Sequence, residues 1–265
     1  DALRLRFSHK TGQWQAIHVD GVADDIVVEN IVVAMLTDAE PYYAKTQTNL
    51  SIENGPLIRA LLVDITATGE QRLLLVAHHL VVDGVSWRIL LEDMQQIYTA
   101  LTNAETPALP LKTHAFRDWG RYLAVVAQRD FLLENREGLR TQRSDVRLKP
   151  IPVDRPAGRN LEASATRFTS HLDAEHTRQL LQEAGKAYRT RIDELLLAAL
   201  APVLCHWADS RAVLVQLEGH GREQVFGLDD SLGELDLTRT VGWFTSAYPV
   251  RLVPEGDLAA TLEAI

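Results

Sequence analysis

The chain has 265 residues, of which 46% are hydrophobic, and its formal net charge is −9 at pH 7. This length suffices for one large domain or for two ordinary lobes. The acidic balance argues against general nucleic-acid binding, which requires a basic surface. A run of about 18 apolar residues, which a membrane-spanning helix requires, is absent from the sequence, so we expect no membrane partner.

Cysteine usage favours a reducing compartment. The single cysteine, Cys205, cannot form an internal disulfide, and its apolar helical surroundings indicate a packing role. No basic–apolar signal sequence begins the chain. We therefore expect a cytoplasmic protein.

The first half of the chain predicts strands and helices in alternation. Leu3–Phe7 alternates like a strand, and Lys10–Gln13 predicts a hairpin turn into a returning strand at Trp14–Val19. Apolar periodicity and β-branched runs give the remaining elements. The further strands are Ile26–Val33, Leu57–Ile65 and Gln71–Ala77, and the helices are Thr37–Thr48, Val85–Thr102 and Thr113–Leu133.

The composition of the chain changes at the start of its second half. Charges are dense and prolines frequent from Arg136 to Asn160, which indicates a linker between two lobes. The elements predicted after it are a strand at Ala163–Leu172, a helix capped by Asp173, a helix at Ile192–Trp207, a strand at Arg211–Leu217, a polar loop at Phe226–Thr238, a strand towards the end of Val241–Leu252, and a helix from Gly256. We predict an N-terminal lobe at 1–135, a linker at 136–162 and a second lobe at 163–265, each an α/β or α+β sandwich.

Polar residues follow the buried strand that ends at Ala77. His78 and His79 come directly after it, and Asp83 precedes a helix. Adjacent histidines on an extended chain point to opposite faces, so at most one faces a given cavity. Asp83 is also a favoured helix N-cap, so the cluster suits either chemistry or plain structure. The HHxxxD spacing matches no usual zinc site, and we predict no metal.

A second strand end carries Glu218, His220 and Arg222. If the two lobes face each other, an imidazole and a carboxylate would flank one cleft, an arrangement suited to removing a proton from one face of a carbon and returning it to the other. Arg222 could pair with Asp83 across the lobes. Taken singly, Glu218 is more readily explained as a surface carboxylate at a turn and Arg222 as a solvated charge.

Longer motifs extend these two clusters. HHLVVDG at 78–84 is followed by VSWRIL at 85–90, EGHGRE occupies 218–223, and RTVGWFTSAYPVRL occupies 239–252. LKTHAFRDW at 111–119 and PVDRP at 152–156 are weaker landmarks. In this order the motifs closely resemble the epimerization domains of nonribosomal peptide synthetases, members of the condensation-domain superfamily. The resemblance implies a chloramphenicol-acetyltransferase-like fold with two lobes in a V arrangement.

The resemblance also implies a function in secondary metabolism and antibiotic biosynthesis. Such isomerases invert the α-carbon of an aminoacyl or peptidyl thioester from L to D. The substrate is held on the 4'-phosphopantetheine of a carrier domain, and no cofactor is bound directly. His79 and Glu218 would be the acid–base pair. Supporting residues would be His78, Asp83, Gly84 (which permits a tight turn) and Arg222, and candidates for the substrate channel are Trp87, His220, Trp243 and Tyr248.

Partners and alternatives follow from the same resemblance. The upstream peptidyl carrier domain and the condensation domain of the next module are the expected partners. The family's first motif and its C-terminal motifs are absent from the sequence, so we expect a piece truncated at both ends, with weak or no activity in isolation. Two alternatives remain: a condensation domain that forms a peptide bond, in which Glu218 would not be needed, and an inactive carrier-docking fragment.

Overall fold

The computed structural model describes residues 1–10, 12–19, 26–128, 148–223 and 235–264. The chain divides into two compact units. The first comprises Asp1–Leu133 and Gly219–Ser246, and the second comprises Glu134–Glu218 and Ala247–Ile265.

The first unit is built on a hairpin and a three-stranded sheet. Strands β1 (Leu5–Lys10) and β2 (Gln13–His18) pair antiparallel. In the sheet, β4 (Ile58–Ile65) lies centrally, parallel to β3 (Ile26–Val33) and antiparallel to β5 (Glu70–Ala77). The central strand carries apolar side chains on both faces and is the most buried of the three. The sheet thus fixes the end of β5, from which the HHxxxDG loop emerges.

Three helices belong to the same unit. They are α1 (Glu40–Thr48), which follows a 3-10 turn at Leu36–Ala39, α2 (Gly84–Thr102) and α3 (Phe116–Val126). One apolar cluster joins the start of α1 to the sheet through Ala39, Leu61 and Val63. A second joins α3 to the loop at 235–244 through Trp119, Leu237 and Phe244.

The second unit is largely helical. Asp173 caps α4 (Ala174–Gln179), as predicted, because its carboxylate accepts a hydrogen bond of 2.8 Å from the His176 N–H. A π-helical segment at Leu180–Ala184 leads into α5 (Gly185–Tyr188), and α6 (Ile192–Trp207) follows.

Strand β6 (Val213–Gly219) pairs with β7 (Ser246–Leu252), and α7 (Leu258–Ala264) ends the described chain. The buried Cys205 packs in the cluster between α6 and these strands, which is the predicted packing role. None of the helices in the described ranges is long and apolar enough to cross a membrane.

The mixed fold class is confirmed, but one predicted strand is wrong. Ala163–Leu172 contains only the end of a 3-10 turn at Glu162–Ser164, and Phe168 in its centre is 92% exposed. A strand requires a hydrogen-bonded neighbour, and none of the described strands pairs with this segment. Alternation of apolar and polar residues was therefore not enough to predict a strand here.

The predicted lobe boundaries differ from the two units. Gly219–Ser246, which the sequence prediction places in the second lobe, is grouped with Asp1–Leu133 in the first unit. Among its described residues, Arg222 hydrogen-bonds to Asp83 and Gly242 hydrogen-bonds to Ser86. Of the predicted linker, 136–147 lies outside the described residues, as do the end of the predicted helix beyond 128 and most of the loop at 226–238. The linker assignment stays a prediction.

Candidate functional site

The loop between β5 and α2 carries the two histidines. The His78 N–H donates to the Leu57 carbonyl at 2.8 Å, which continues the backbone pairing beyond β5. Its ring is half-buried, and Nδ1 accepts from the Leu80 N–H at 3.2 Å, which places the proton of a neutral ring on Nε2. The His79 side chain is exposed. The two histidines therefore face different surroundings, and His79 is the one open to solvent.

Asp83 fixes the start of α2. It is the N-cap residue, and its Oδ1 accepts from the Ser86 N–H at 2.7 Å. Its Oδ2 accepts from the Phe244 N–H at 3.2 Å. The side chain is only 3% exposed, so these donors replace the water that a carboxylate would otherwise bind.

Arg222 supplies the opposite charge. Its Nη1 donates to Asp83 Oδ2 at 2.6 Å and its Nη2 to Oδ1 at 3.2 Å, a bidentate pair. Nη2 also donates to the Thr240 carbonyl at 3.0 Å, and the side chain is 8% exposed. The predicted pair is thus present, and both of its members belong to the first unit rather than to two lobes.

Aromatic packing and a glycine bring Arg222 into place. The guanidinium carbon lies 4.0 Å from the centroid of the Phe244 ring, within cation–π range. The neighbouring Gly221 has φ +65°, and a Cβ there would lie 1.7 Å from the Phe244 carbonyl oxygen. Only glycine permits this approach, which explains the second glycine of the EGHGRE motif.

Two opposing effects act on the pKa of Asp83. Burial raises the pKa of the Asp83 carboxyl, while the hydrogen bonds from Arg222 and Ser86 and the charge of Arg222 lower it. The lowering effects together prevail, so the pKa lies below its ordinary value. The carboxylate is therefore ionised at neutral pH and acts as a fixed negative charge.

Ser86 links the start of α2 to the VGWFT segment. Its side chain is fully buried, at 0% exposure. Its Oγ donates to the Gly242 carbonyl at 2.9 Å and accepts from the Gly242 N–H at 3.0 Å. Arg222 Nη2 is a third partner at 3.3 Å. A Cβ at Gly242 would lie 2.3 Å from the Phe116 ring, so the tight packing requires glycine there too.

Trp243 follows directly and contacts the exposed histidine. The ring centroids of His79 and Trp243 are 6.0 Å apart with an interplanar angle of 64°, an edge-to-face arrangement. The indole is 43% exposed. Of the four predicted channel residues, Trp243 is therefore the one whose ring contacts His79 in the described part of the chain.

The remaining predicted residues have other surroundings. Trp87 is half-buried against the apolar cluster of Leu57 and Val81, as a packing residue would be. His220 is exposed, with Nε2 3.1 Å from Glu223 Oε1. Gly84 begins α2, its φ lies outside the left-handed range, and no described atom lies within 4 Å of an added Cβ. The loop turns just before it, where the Val81 N–H donates to the His78 carbonyl at 3.0 Å, and the role of Gly84 in that turn stays a prediction.

Glu218 and Tyr248 are described with the second unit. Glu218 is the penultimate residue of β6, with an exposed side chain, and Tyr248 is exposed on β7. His79 belongs to the first unit. That Glu218 and His79 act on one substrate thus stays a prediction.

The carboxylates and imidazoles of the site form no metal centre in the described ranges. No three His, Cys, Asp or Glu side chains of these ranges lie close enough together to hold a metal ion. The Asp83 carboxylate already has a guanidinium and two backbone N–H groups as partners. Its role is to hold the loop.

Comparison with known proteins identifies the family. The family model described as "Condensation domain" matches residues 1–265. The chain belongs to the condensation-domain family. It is 42% identical over 265 residues to a linear gramicidin synthase protein of Brevibacillus parabrevis, covering 98% of this chain and 5% of that protein. It is 36% identical to gramicidin S synthase 1 of Brevibacillus brevis, covering 95% of this chain and 23% of that protein.

Solved structures of the family show the same fold. The epimerization domain from the third module of tyrocidine synthetase B matches with a TM-score of 0.81 and 30% identity, over 100% of this chain and 58% of that one. The first condensation domain of the calcium-dependent antibiotic synthetase matches with a TM-score of 0.65 and 21% identity, over 99% of this chain and 60% of that one. The chloramphenicol-acetyltransferase-like fold is confirmed, and the chain spans under two thirds of each domain.

Sequence reasoning missed three hydrogen-bond partners at the site. Ser86, Thr240 and Gly242 were not singled out, although they complete the surroundings of Arg222 and Asp83. An Asp with a Ser three residues later at a helix start was the available signal. It predicts the cap, but it does not predict that the hydroxyl bonds a residue 156 positions away.

Removing the Asp83 carboxylate should destabilise the fold strongly. Asp83→Ala leaves the Arg222 guanidinium buried without its counter-ion, and we expect the free energy of unfolding to fall by about 3–5 kcal/mol. Glu92→Ala is the matched control, since Glu92 pairs with Arg239 at an exposed position. We expect about 0–1 kcal/mol there. Urea unfolding of the full-length protein measures both, and equal losses would contradict the account.

The lowered pKa of Asp83 predicts an acid-dependent loss of stability. A carboxyl whose folded-state pKa is below its unfolded value of about 3.9 stabilises the fold above that pH, and the stabilisation disappears as the pH falls through the folded-state pKa. The stability difference between the wild type and Asp83→Asn should therefore be constant above about pH 5 and shrink below about pH 4. Unfolding titrations at each pH test this, and a difference that grows in acid would contradict it.

Proposed function

We propose that this chain is part of an epimerization domain that inverts the α-carbon of an aminoacyl or peptidyl thioester in nonribosomal peptide synthesis. The observation that carries the proposal is the match to the epimerization domain of tyrocidine synthetase B at 30% identity across the whole chain. The EGHGRE motif with Glu218 supports it, because peptide-bond formation does not require a carboxylate at this point.

The proposed chemistry needs two groups that transfer protons. A base removes the α-proton, the C–H electron pair passes into the thioester carbonyl as an enolate, and an acid returns a proton to the opposite face. We assign these roles to His79 and Glu218 as a pair. The exposure of both side chains supports the assignment, because each must reach a substrate.

The surrounding residues would hold the imidazole steady. Asp83 and Arg222 neutralise each other in a buried pair and fix the loop that carries His79. Asp83 is not free for proton transfer, since both of its oxygens accept hydrogen bonds from the guanidinium. The contribution of the pair is positional, and this fits a site whose chemistry is performed by other groups.

The substrate would arrive on a carrier domain. We propose that the thioester is held on the phosphopantetheine arm of a peptidyl carrier domain of the same synthetase, and that the product passes to a following condensation domain. The relatives support such an assembly, because this chain matches only 5% of the linear gramicidin synthase protein and 23% of gramicidin S synthase 1. A cytoplasmic location is part of the same proposal.

The test is exchange of the α-proton with solvent. A panel of carrier-bound L-aminoacyl thioesters is incubated in deuterated buffer with the full-length protein, and deuterium at the α-carbon is measured by mass spectrometry. We expect Glu218→Gln and His79→Gln each to slow exchange by about 10²–10⁴-fold, because each removes one proton-transfer group.

The control is Glu255→Gln, the same substitution at an exposed position of the second unit. It should leave the exchange rate unchanged. Peptide-bond formation by a condensation domain would give the opposite pattern: exchange would be insensitive to Glu218→Gln, while amide formation from two carrier-bound substrates would depend on His79. Neither exchange nor amide formation by the wild type with any substrate would favour the inactive carrier-docking fragment.

A further inference from the structure

The segment that carries Trp243 is tied down on both sides of the indole. Before it, the N–H and the carbonyl of Gly242 both bond to Ser86 Oγ. After it, the Phe244 N–H bonds to Asp83 Oδ2. The backbone of Trp243 is therefore held between two attachments to the N-terminus of α2.

The Ser86 hydroxyl has no bonding capacity left. A hydroxyl has one donor and two acceptor positions. Its donor position is used by the Gly242 carbonyl, and its acceptor positions by the Gly242 N–H and Arg222 Nη2. A fully buried hydroxyl with three partners fixes their relative positions more closely than any single bond would.

The His79 ring lacks an attachment of this kind. Within the described ranges no hydrogen bond reaches its nitrogens, and its ring contact is the edge-to-face one with Trp243. The orientation of the imidazole therefore depends on an aromatic neighbour. That neighbour is in turn held in place by Ser86.

We propose that Ser86 is a positioning residue, which through Gly242 holds the Trp243 indole against His79 and so sets the orientation of the imidazole. The proposal rests on the proposed function in one respect, that His79 transfers the α-proton. The geometric part is independent of that function. Neither Ser86 nor Trp243 touches the reacting atoms in this account.

The geometric part is tested by NMR of the full-length protein labelled at the histidine ring carbons. His79→Gln assigns the His79 Hε1 resonance, which the ring current of Trp243 should displace. Trp243→Leu should abolish the displacement, and Ser86→Ala should remove most of it. Ser86→Cys keeps a weak donor and should give an intermediate value.

The control is Thr240→Val, which removes a buried hydroxyl of the same segment. The Thr240 Oγ1 donates to the His114 carbonyl at 2.7 Å and does not bond to Gly242. Thr240→Val should lower stability yet leave the His79 resonance in place. A native His79 resonance in folded Ser86→Ala or Ser86→Cys protein, or in Trp243→Leu, would overturn the proposal.

Kinetics test whether Ser86 acts through Trp243. We expect Ser86→Ala and Trp243→Leu each to slow α-proton exchange by about 10–100-fold, the scale of a misplaced catalytic group. The double variant should be no slower than Trp243→Leu alone, since the two residues act in series. Losses that multiply would contradict this. If wild type shows no exchange, the proposed function fails, while the NMR result still decides the geometric part.

Discussion

The site depends on one buried ion pair. Asp83 and Arg222 are both almost completely removed from solvent, and an isolated charge in either place would be strongly unfavourable. Each oxygen of Asp83 and both terminal nitrogens of Arg222 therefore have partners. Because these partners come from the start of α2 and from Arg222, Thr240 and Phe244, the pair unites segments that lie about half the chain apart.

Neither Asp83 nor Arg222 bonds to the His79 ring. The charged groups hold the loop and the VGWFT segment, whereas His79 is exposed, and among the described residues its ring contact is with Trp243 rather than with a charged group. An imidazole that is positioned by its neighbours without being hydrogen-bonded to them can donate and accept protons in turn. The separation between the residues that hold the loop and the residue proposed to transfer protons is what makes the HHxxxDG loop a candidate for chemistry.

Sequence alone predicted much of this arrangement. The strand that ends at Ala77, the cap at Asp83 and the helix after it could be predicted because their signals are local. The Asp83–Arg222 pair could be predicted because a carboxylate and a guanidinium have complementary charges. The strand at Ala163–Leu172 failed because pairing depends on a neighbour that local alternation does not reveal. The Ser86–Gly242 bonds could not be predicted, since nothing local marks a contact across 156 positions.

We propose that the domain inverts a stereocentre, and the most direct test of this is a stereochemical measurement. The full-length protein is given the L and, separately, the D form of the same carrier-bound aminoacyl thioester. The amino acid is then released and separated on a chiral column. Both reactions should converge on the same L/D ratio, because proton removal and return reach one equilibrium from either side. Retention of the starting configuration in both, with carrier loading verified, would contradict the account.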